Sequence, residues 1–290
     1  MMEVRKAVIP VAGMGTRFLP ITKTIPKEML PIVDKPAIQY VVEEAVQSGM
    51  GNIIFITGRN KAGIDDYFDR DLNLENQLKE KRKEDLLEIV RKIGDMITVS
   101  SIRQKQPLGL GNAVSVAEAM VGEEPFGVFL SDDIITHPVS CMEQLLLAHR
   151  AVKSSVVAVR KVPWENVSRY GVVSVDPVQG KERLFRVNDL VEKPSQESAP
   201  SNLAVIGRYV LTPPIFDALR RTQPGVGGEI QLTDGLRHLL EDEPLYAYKF
   251  EGTHYDTGNK LDRLIATVEF ALQRKDLQEK FREYLKSLKL

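Results

Sequence analysis

Two cations follow a glycine turn near the start of the 290-residue chain. The stretch Val8 to Ile32 reads VIPVAGMGTRFLPITKTIPKEMLPI, with Gly13 and Gly15 just after an apolar run. Glycine lets backbone N–H groups close on an anion. Arg17 adds a planar fork matched to phosphate oxygens, and Lys27 a mobile point charge. This combination points to a triphosphate cradle rather than to two ordinary solvated cations. It is not a dinucleotide loop. Gly13-Met14-Gly15 is followed by Thr16, Arg17 and Phe18, so the third glycine is missing, and the second strand ends Thr57-Gly58-Arg59-Asn60 without an acid for the ribose. Asp34 has about the right spacing but precedes the helix, and Pro20, Pro26 and Pro31 stiffen a loop that a dinucleotide turn would not contain. Gly-Lys-Ser/Thr, needed for a Walker A loop, does not follow either. There is no G-x-S-x-G elbow, and His137, His149, His238 and His254 are scattered. His137 and Cys141 stand four apart, but two ligands do not make a zinc site.

The elements that must hold these groups alternate. Lys6 to Pro10, Asn52 to Thr57, Ile97 to Arg103, Phe126 to Ser131 and Ser155 to Arg160 read as buried strands. Helical patterns lie between them: Pro36 to Ser48, a single charged helix over Asn73 to Lys92, Gly111 to Met120, and Val139 to Val152. Strands apolar on both faces, separated by helices, predict a mostly parallel sheet covered on both sides. After Trp164 the pattern changes to short strands (Gly171 to Val175, Leu184 to Glu192, Leu203 to Leu211) joined by turn-rich loops, an antiparallel extension of the same sheet. Pro213 to Arg221 and Ile230 to Leu240 read as helices, and Leu245 to Phe250 as a late strand. Lys260 to Leu288 reads as two amphipathic helices, with Leu261, Leu264, Ile265, Val268 and Leu272 on one face. The expected fold is α/β: a Rossmann-like, mixed, mostly parallel central sheet flanked by helices, an antiparallel extension and C-terminal helices. A single composite domain is expected over 1–290, with halves at about 1–160 and 161–258 and the terminal helices at about 259–290.

Composition sets outer limits. The chain is 43% hydrophobic, with 39 Lys plus Arg against 40 Asp plus Glu, a net charge of −1. That balance argues against a nucleic-acid or anionic-membrane binder, which wants a basic face. Cys141 is the lone cysteine, which suits a reducing compartment. No apolar run approaches the roughly 20 residues of a membrane span. A cytoplasmic protein is expected.

The order of motifs carries more than any one of them. G-x-G-T-R-x-x-P followed by K-E-M-L-P, then PLGLGNAV (Pro107 to Val114), FLSDDII (Phe129 to Ile135), RYGVVSVD (Arg169 to Asp176), LVEKP (Leu190 to Pro194), APSNLAVIGRYVL (Ala199 to Leu211), GEIQLTD (Gly228 to Asp234) and YDTGNK (Tyr255 to Lys260) resembles, nearly end to end, the sugar-phosphate nucleotidyltransferases. Among them the likeness is greatest to the bacterial-type members that take UTP and glucose 1-phosphate. It implies a reaction giving UDP-glucose and pyrophosphate. The sugar phosphate brings its own ionised nucleophile, so no catalytic Ser, Cys or His is needed.

Two anions must meet and charge builds on the leaving pyrophosphate, so such chemistry needs cations and alignment. The resemblance makes Arg17, Lys27 and Lys193 the catalytic cations, and Asp132 and Asp256 the ligands of Mg²⁺. From the residues alone, Lys193 is equally a strand-end ion pair, and either aspartate a helix cap. Ala12, Gly13, Gly15, Thr16, Glu28, Gln104, Gly109 and Asp132 are expected at the nucleotide, and Asp133, Gly171, Glu192 and Val205 at the sugar. Uracil offers one N3–H donor and two carbonyl acceptors; Gln104 carries both kinds of group, whereas ionised Glu28 only accepts. Thymine differs by a methyl that these residues do not exclude, so dTTP, or another sugar 1-phosphate, is the alternative substrate; a non-catalytic sugar-nucleotide binder is a distant one. Asn112 where the family pattern has His, and Ser131 where it has Pro or Gly, are the departures noted. A homodimer or homotetramer is expected, its contact made by the terminal helices unless these pack on their own domain.

Overall fold

The computed structural model describes residues 3–289. Its strands are β1 (Lys6–Pro10), β2 (Pro31–Ile32), β3 (Lys35–Pro36), β4 (Asn52–Thr57), β5 (Thr98–Arg103), β6 (Phe126–Phe129), β7 (Asp133–Thr136), β8 (Ser155–Lys161), β9 (Gly171–Val178), β10 (Lys181–Glu192), β11 (Leu203–Leu211), β12 (Leu245–Lys249) and β13 (Thr253–Asp256). The helices are α1 (Ala37–Gln47), α2 (Ala62–Phe68), α3 (Leu72–Glu80), α4 (Glu84–Gly94), α5 (Leu110–Val116), α6 (Glu118–Val121), α7 (Cys141–Val152), α8 (Pro214–Arg221), α9 (Leu232–Leu239), α10 (Lys260–Gln273) and α11 (Gln278–Ser287).

Nine strands form one sheet in the order β5-β4-β1-β6-β11-β8-β12-β10-β9. β5, β4, β1 and β6 run parallel, β11 enters antiparallel between β6 and β8, and β9 and β10 close the far edge as a hairpin. Side chains alternate across a strand, so β1 feeds two cores. Ala7 and Ile9 pack with α1 and α7, through Val41, Val42, Leu145 and Leu146, while Val8 packs on the other face with α5, α8 and α9, through Val114, Phe216 and Leu236. The mixed, mostly parallel sheet covered on both faces is therefore as the strand pattern predicted. The later strands do not stand apart: β11 lies mid-sheet, buried throughout.

Two local outcomes differ from the sequence reading, and one alternative that it left open is decided. The charged stretch Asn73 to Lys92 is two helices, not one. Arg82 takes φ 52° and the Lys83 N–H returns to the Leu78 carbonyl at 2.9 Å, a Schellman closure made without glycine. Between the late strand and α10 lies a further strand not expected from the sequence, β13, which ends at Asp256, pairs with β7 as a separate ribbon and sets Asp256 opposite Asp133. The terminal helix α10 does pack on its own chain, with Ala266 buried and Phe270 edge-on to Tyr40 and Tyr255. Yet Leu261, Leu264 and Ile265 on it stay exposed.

Candidate active site

Open α/β sheets bind ligands beyond the carboxyl ends of their strands. The chain leaves β1 into Ala12 and the glycine turn, leaves β5 into Gln104, and leaves β6 into the turn Leu130–Asp133. These segments line one cavity of about 370 Å³ with Gly13, Lys27, Glu28, Gly109 and Asp132, adjoining another of about 530 Å³ that shares Ala12, Gly13 and Gln104.

The glycine turn and Lys27 are packed as a unit. Gly15 has φ 67°, and a Cβ there would fall 3.0 Å from the Lys27 Cβ. A Cβ on Gly13 would lie 3.6 Å from the Lys27 Cε. Thr22 Oγ1 donates to the Gly15 carbonyl at 2.8 Å and closes the loop. The Lys27 amine reaches Asp132 Oδ2 at 2.6 Å. Burial alone would lower its pKa, but the Asp132 and Glu28 carboxylates outweigh that and hold it above the ordinary lysine value. Asp132 answers in kind: burial would raise its carboxyl, and Lys27 draws it below the usual range. The Arg17 guanidinium donates to the Gly258 carbonyl at 3.4 Å and its own side chain is otherwise exposed.

Gly258 is the meeting point. A Cβ there would stand 2.7 Å from Asp132 Oδ2 and 3.1 Å from Asp256 Oδ1, so those oxygens are no farther apart than the two distances laid end to end. Thr257 fixes the approach, its N–H and hydroxyl both donating to the Asp132 carbonyl at 2.7 and 2.8 Å. Burial, then the Asp133 and Asp132 charges, push the Asp256 carboxyl above its ordinary pKa, although Arg169 donates to Asp256 Oδ2 at 2.9 Å. Two carboxylates facing one point, one of them held at an electrostatic cost, fit Mg²⁺, which takes one or two carboxylates and completes its shell with phosphates and water. Among the described residues no group of three or more His, Cys, Asp or Glu side chains is arranged around a metal.

At the other end of the cavity the residues expected at a nucleotide are equally fixed. The Gln104 amide nitrogen donates to the Gly109 carbonyl at 3.1 Å and to Asn112 Oδ1 at 2.8 Å. A carbonyl can only accept, so this sets the amide's orientation and leaves Gln104 Oε1 as its acceptor. Glu28 is buried with Oε2 on the Lys61 amine at 2.6 Å, while Oε1 is buried without a partner. Burial pulls Lys61 below its ordinary pKa despite Glu28. Gly109 needs φ 95°, and a side chain there would strike the Ile230 carbonyl at 2.7 Å.

Of the expected sugar residues, Gly171 and Glu192 meet across β9 and β10, while Val205 lies on β11 and Asp133 begins β7. Gly171 is the register partner of Glu192, whose Oε2 accepts from Thr233 at 2.7 Å. The Lys193 amine pairs with Glu192 Oε1 at 3.1 Å and is 55% exposed, the geometry of a strand-end ion pair. Its backbone, however, sits at φ 45°, with its N–H on the Tyr170 carbonyl at 3.0 Å. A positive φ on a non-glycine residue costs about 1–3 kcal/mol and persists where surroundings impose it, often at functional sites. Val205 lies mid-strand on β11, paired with Val159. Asp133 does not face outward: Oδ1 lies 2.5 Å from His254 Nε2, and Oδ2 crowds Gly207. A sugar contact by Asp133 requires that pair to open. The two groups of residues are chained through Arg169, which precedes Tyr170 and holds Asp256.

Lys61, His254, Arg169, Thr233 and Arg263 were not found by sequence reasoning. Their partners lie far off in the chain, 33 residues for Lys61, 121 for His254 and 87 for Arg169, so no spacing announces them. Arg263 on α10 donates to the carbonyls of Thr257 and Leu30, tying the Gly258 turn to the phosphate loop.

Known proteins match this chain over nearly its whole length. The family model described as nucleotidyl transferase matches residues 6–274. A UTP–glucose-1-phosphate uridylyltransferase of Bacillus subtilis is 49% identical over 288 residues, covering 99% of this chain and 98% of that protein. One of Staphylococcus saprophyticus, numbered 2, is 48% identical over the full length of both. Among solved structures, UTP-bound UGPase from Acinetobacter baumannii superposes with a TM-score of 0.91 at 40% identity, covering 99% of this chain and all of that one. UDP-glucose pyrophosphorylase complexed with UDP-glucose does so with a TM-score of 0.86 at 45% identity, over 94% of this chain and all of the other. With the loop, the paired acids and the sheet edge already in place, this match over nearly all of its length makes the chain a member of the nucleotidyl transferase family.

Proposed function

We propose that this chain transfers a uridylyl group from UTP to α-D-glucose 1-phosphate, giving UDP-glucose and pyrophosphate. The observation that carries the reading is the convergence of Arg17, Asp132 and Asp256 on Gly258, with Lys27 on Asp132, beside a cavity holding Gln104 and Glu28. Relatives and solved neighbours named for this reaction, at 40–49% identity over 94% or more of the chain, support the choice of substrates.

A phosphate oxygen of the sugar phosphate attacks the α-phosphorus in line. The bond to the bridging oxygen breaks and pyrophosphate departs with the electron pair. Arg17 and Lys27 grip the β- and γ-phosphates and meet the charge that grows there. Lys193 leaves Glu192 for the sugar phosphate and the α-phosphate, and Glu192 is freed to accept from glucose hydroxyls. Asp132 and Asp256 would hold Mg²⁺, which when bound would supply charge neutralisation across the phosphates. Uracil's N3–H finds two acceptors in its cavity, Gln104 Oε1 and Glu28 Oε1, while N–H groups of the Ala12–Gly13 backbone serve its carbonyls. Cytosine, whose N3 accepts, would set acceptor against acceptor.

Pyrophosphate release from glucose 1-phosphate with UTP, dTTP, CTP, ATP or GTP tests the assignment. UTP should give the highest kcat/KM and CTP a value at least ~100-fold lower. EDTA should abolish turnover and Mg²⁺ restore it. A preference for dTTP, or for a different sugar 1-phosphate, would move the chain to the alternative substrate within the same chemistry.

A further inference from the structure

The largest side chain buried to full depth is a charged one, Arg208 on β11. A guanidinium has five N–H donors in a rigid fork. Here all five are in use. Nε and one Nη2 hydrogen go to Glu44 Oε2 at 2.9 and 2.7 Å, and the second Nη2 hydrogen goes to the Asp133 carbonyl at 2.7 Å. Nη1 donates to the Gly207 carbonyl at 2.9 Å and to the Leu130 carbonyl at 3.3 Å. Glu44 is buried on α1, and its other oxygen accepts from the Met142 N–H at 3.0 Å.

Two of those acceptors belong to one turn. Leu130 to Asp133 links β6 to β7, and the Asp133 N–H returns toward the Leu130 carbonyl at 3.4 Å, a weak closure for a turn that carries Asp132 third in line. The guanidinium grips that turn at both ends from below. Thr257 grips it between, at the Asp132 carbonyl. Each of the three gripped carbonyls lies on the Leu130–Asp133 backbone, so the main chain from which the Asp132 carboxylate projects is held by groups that never touch substrate.

We infer that Arg208 is a positioning residue for the reaction, clamping the Leu130 and Asp133 carbonyls so that Asp132 faces Gly258 and Asp256. Glu44 is its counter-ion and neutralises the buried charge without reaching the turn. The two members of the pair therefore divide the work: Glu44 makes the buried cation tolerable, and Arg208 alone carries the geometry. This rests on the role given to Asp132 above.

Two single variants separate positioning from plain structural support. Arg208→Lys keeps a cation for Glu44 but has no fork to span both carbonyls. It should fold, lower kcat at least ~30-fold with KM for glucose 1-phosphate within threefold, weaken Mn²⁺ binding measured by EPR, and speed amide exchange at residues 130–133 at least tenfold. Glu44→Gln leaves the fork on the turn. It should lower Tm while holding kcat, Mn²⁺ affinity and exchange at 130–133 within threefold of wild type. If Arg208→Lys does not fold, the charge-free pair Arg208→Gln with Glu44→Gln takes its place with the same expectations. Wild-type kcat and exchange in the clamp-less variant overturn the inference, as does equal loss in both single variants in proportion to Tm. Amide exchange needs no substrate, so the clamp stands or falls separately from the uridylyl assignment, which wild-type turnover tests.

Discussion

At the scale of single residues, the site is a set of charges held in tension. Lys27 and Asp132 satisfy each other at 2.6 Å, and Lys193 pairs with Glu192 from a backbone at φ 45°. Asp132→Ala and Lys193→Ala should each reduce kcat at least ~100-fold, or roughly 3 kcal/mol of transition-state stabilisation, while Tm moves little. A variant of either with near wild-type turnover would remove that residue from the reaction. Asp256 gives a prediction of opposite sign for stability. Its pKa is raised in the folded chain by burial and by Asp133 and Asp132, so the folded state binds its proton more tightly than the unfolded state does. Stability from this group is then lost as pH rises from the ordinary aspartate range through the raised value. Asp256→Asn should therefore raise Tm at pH 7, show no gain at a pH below the ordinary aspartate range, and still lower kcat at least ~100-fold. Thermal melts across pH, paired with turnover, check both halves.

At the scale of elements, the strands that carry the loops were legible and the ribbons that finish the site were not. β1, β4 and β6 announce themselves as apolar runs because they are buried on both faces, and the glycine turn after β1 follows from its residue types. β7 and β13 are four residues each, and their pairing of Asp133 with Asp256 depends on residues more than a hundred positions apart. Nothing local in either segment encodes that register. The split of the charged helix was hidden for a different reason, since Arg82 occupies a left-handed position where glycine would have signalled a stop. The turn after β13 yields a prediction of its own. Gly258→Ala puts a methyl between Asp132 and Asp256, 2.7 Å from an oxygen of the first. Turnover should fall at least ~30-fold and Mn²⁺ affinity should weaken, with Tm near wild type because Gly258 does not need a positive φ. Unchanged metal affinity in this variant would mean that the two acids do not share an ion.

At the scale of the whole molecule, α10 covers Ile32, Ile134 and Tyr255 with one side and leaves Leu261, Leu264 and Ile265 in solvent on the other. Contiguous apolar surface of this kind usually has a partner. The expected homodimer or homotetramer has its candidate contact here. Light scattering should give a mass above that of one chain, and Leu264→Glu should bring it down; an unchanged mass would place the contact elsewhere. The central position of β11 has a broader consequence. This strand comes from the sugar-side half of the sequence, yet it is laced into the sheet between β6 and β8 and carries Arg208 beneath the turn of Asp132. Neither half can swing as a rigid jaw against the other without tearing hydrogen bonds from the middle of the sheet. Any opening for reactants or product then falls to the loops along the carboxyl edge of the sheet, while the floor stays still.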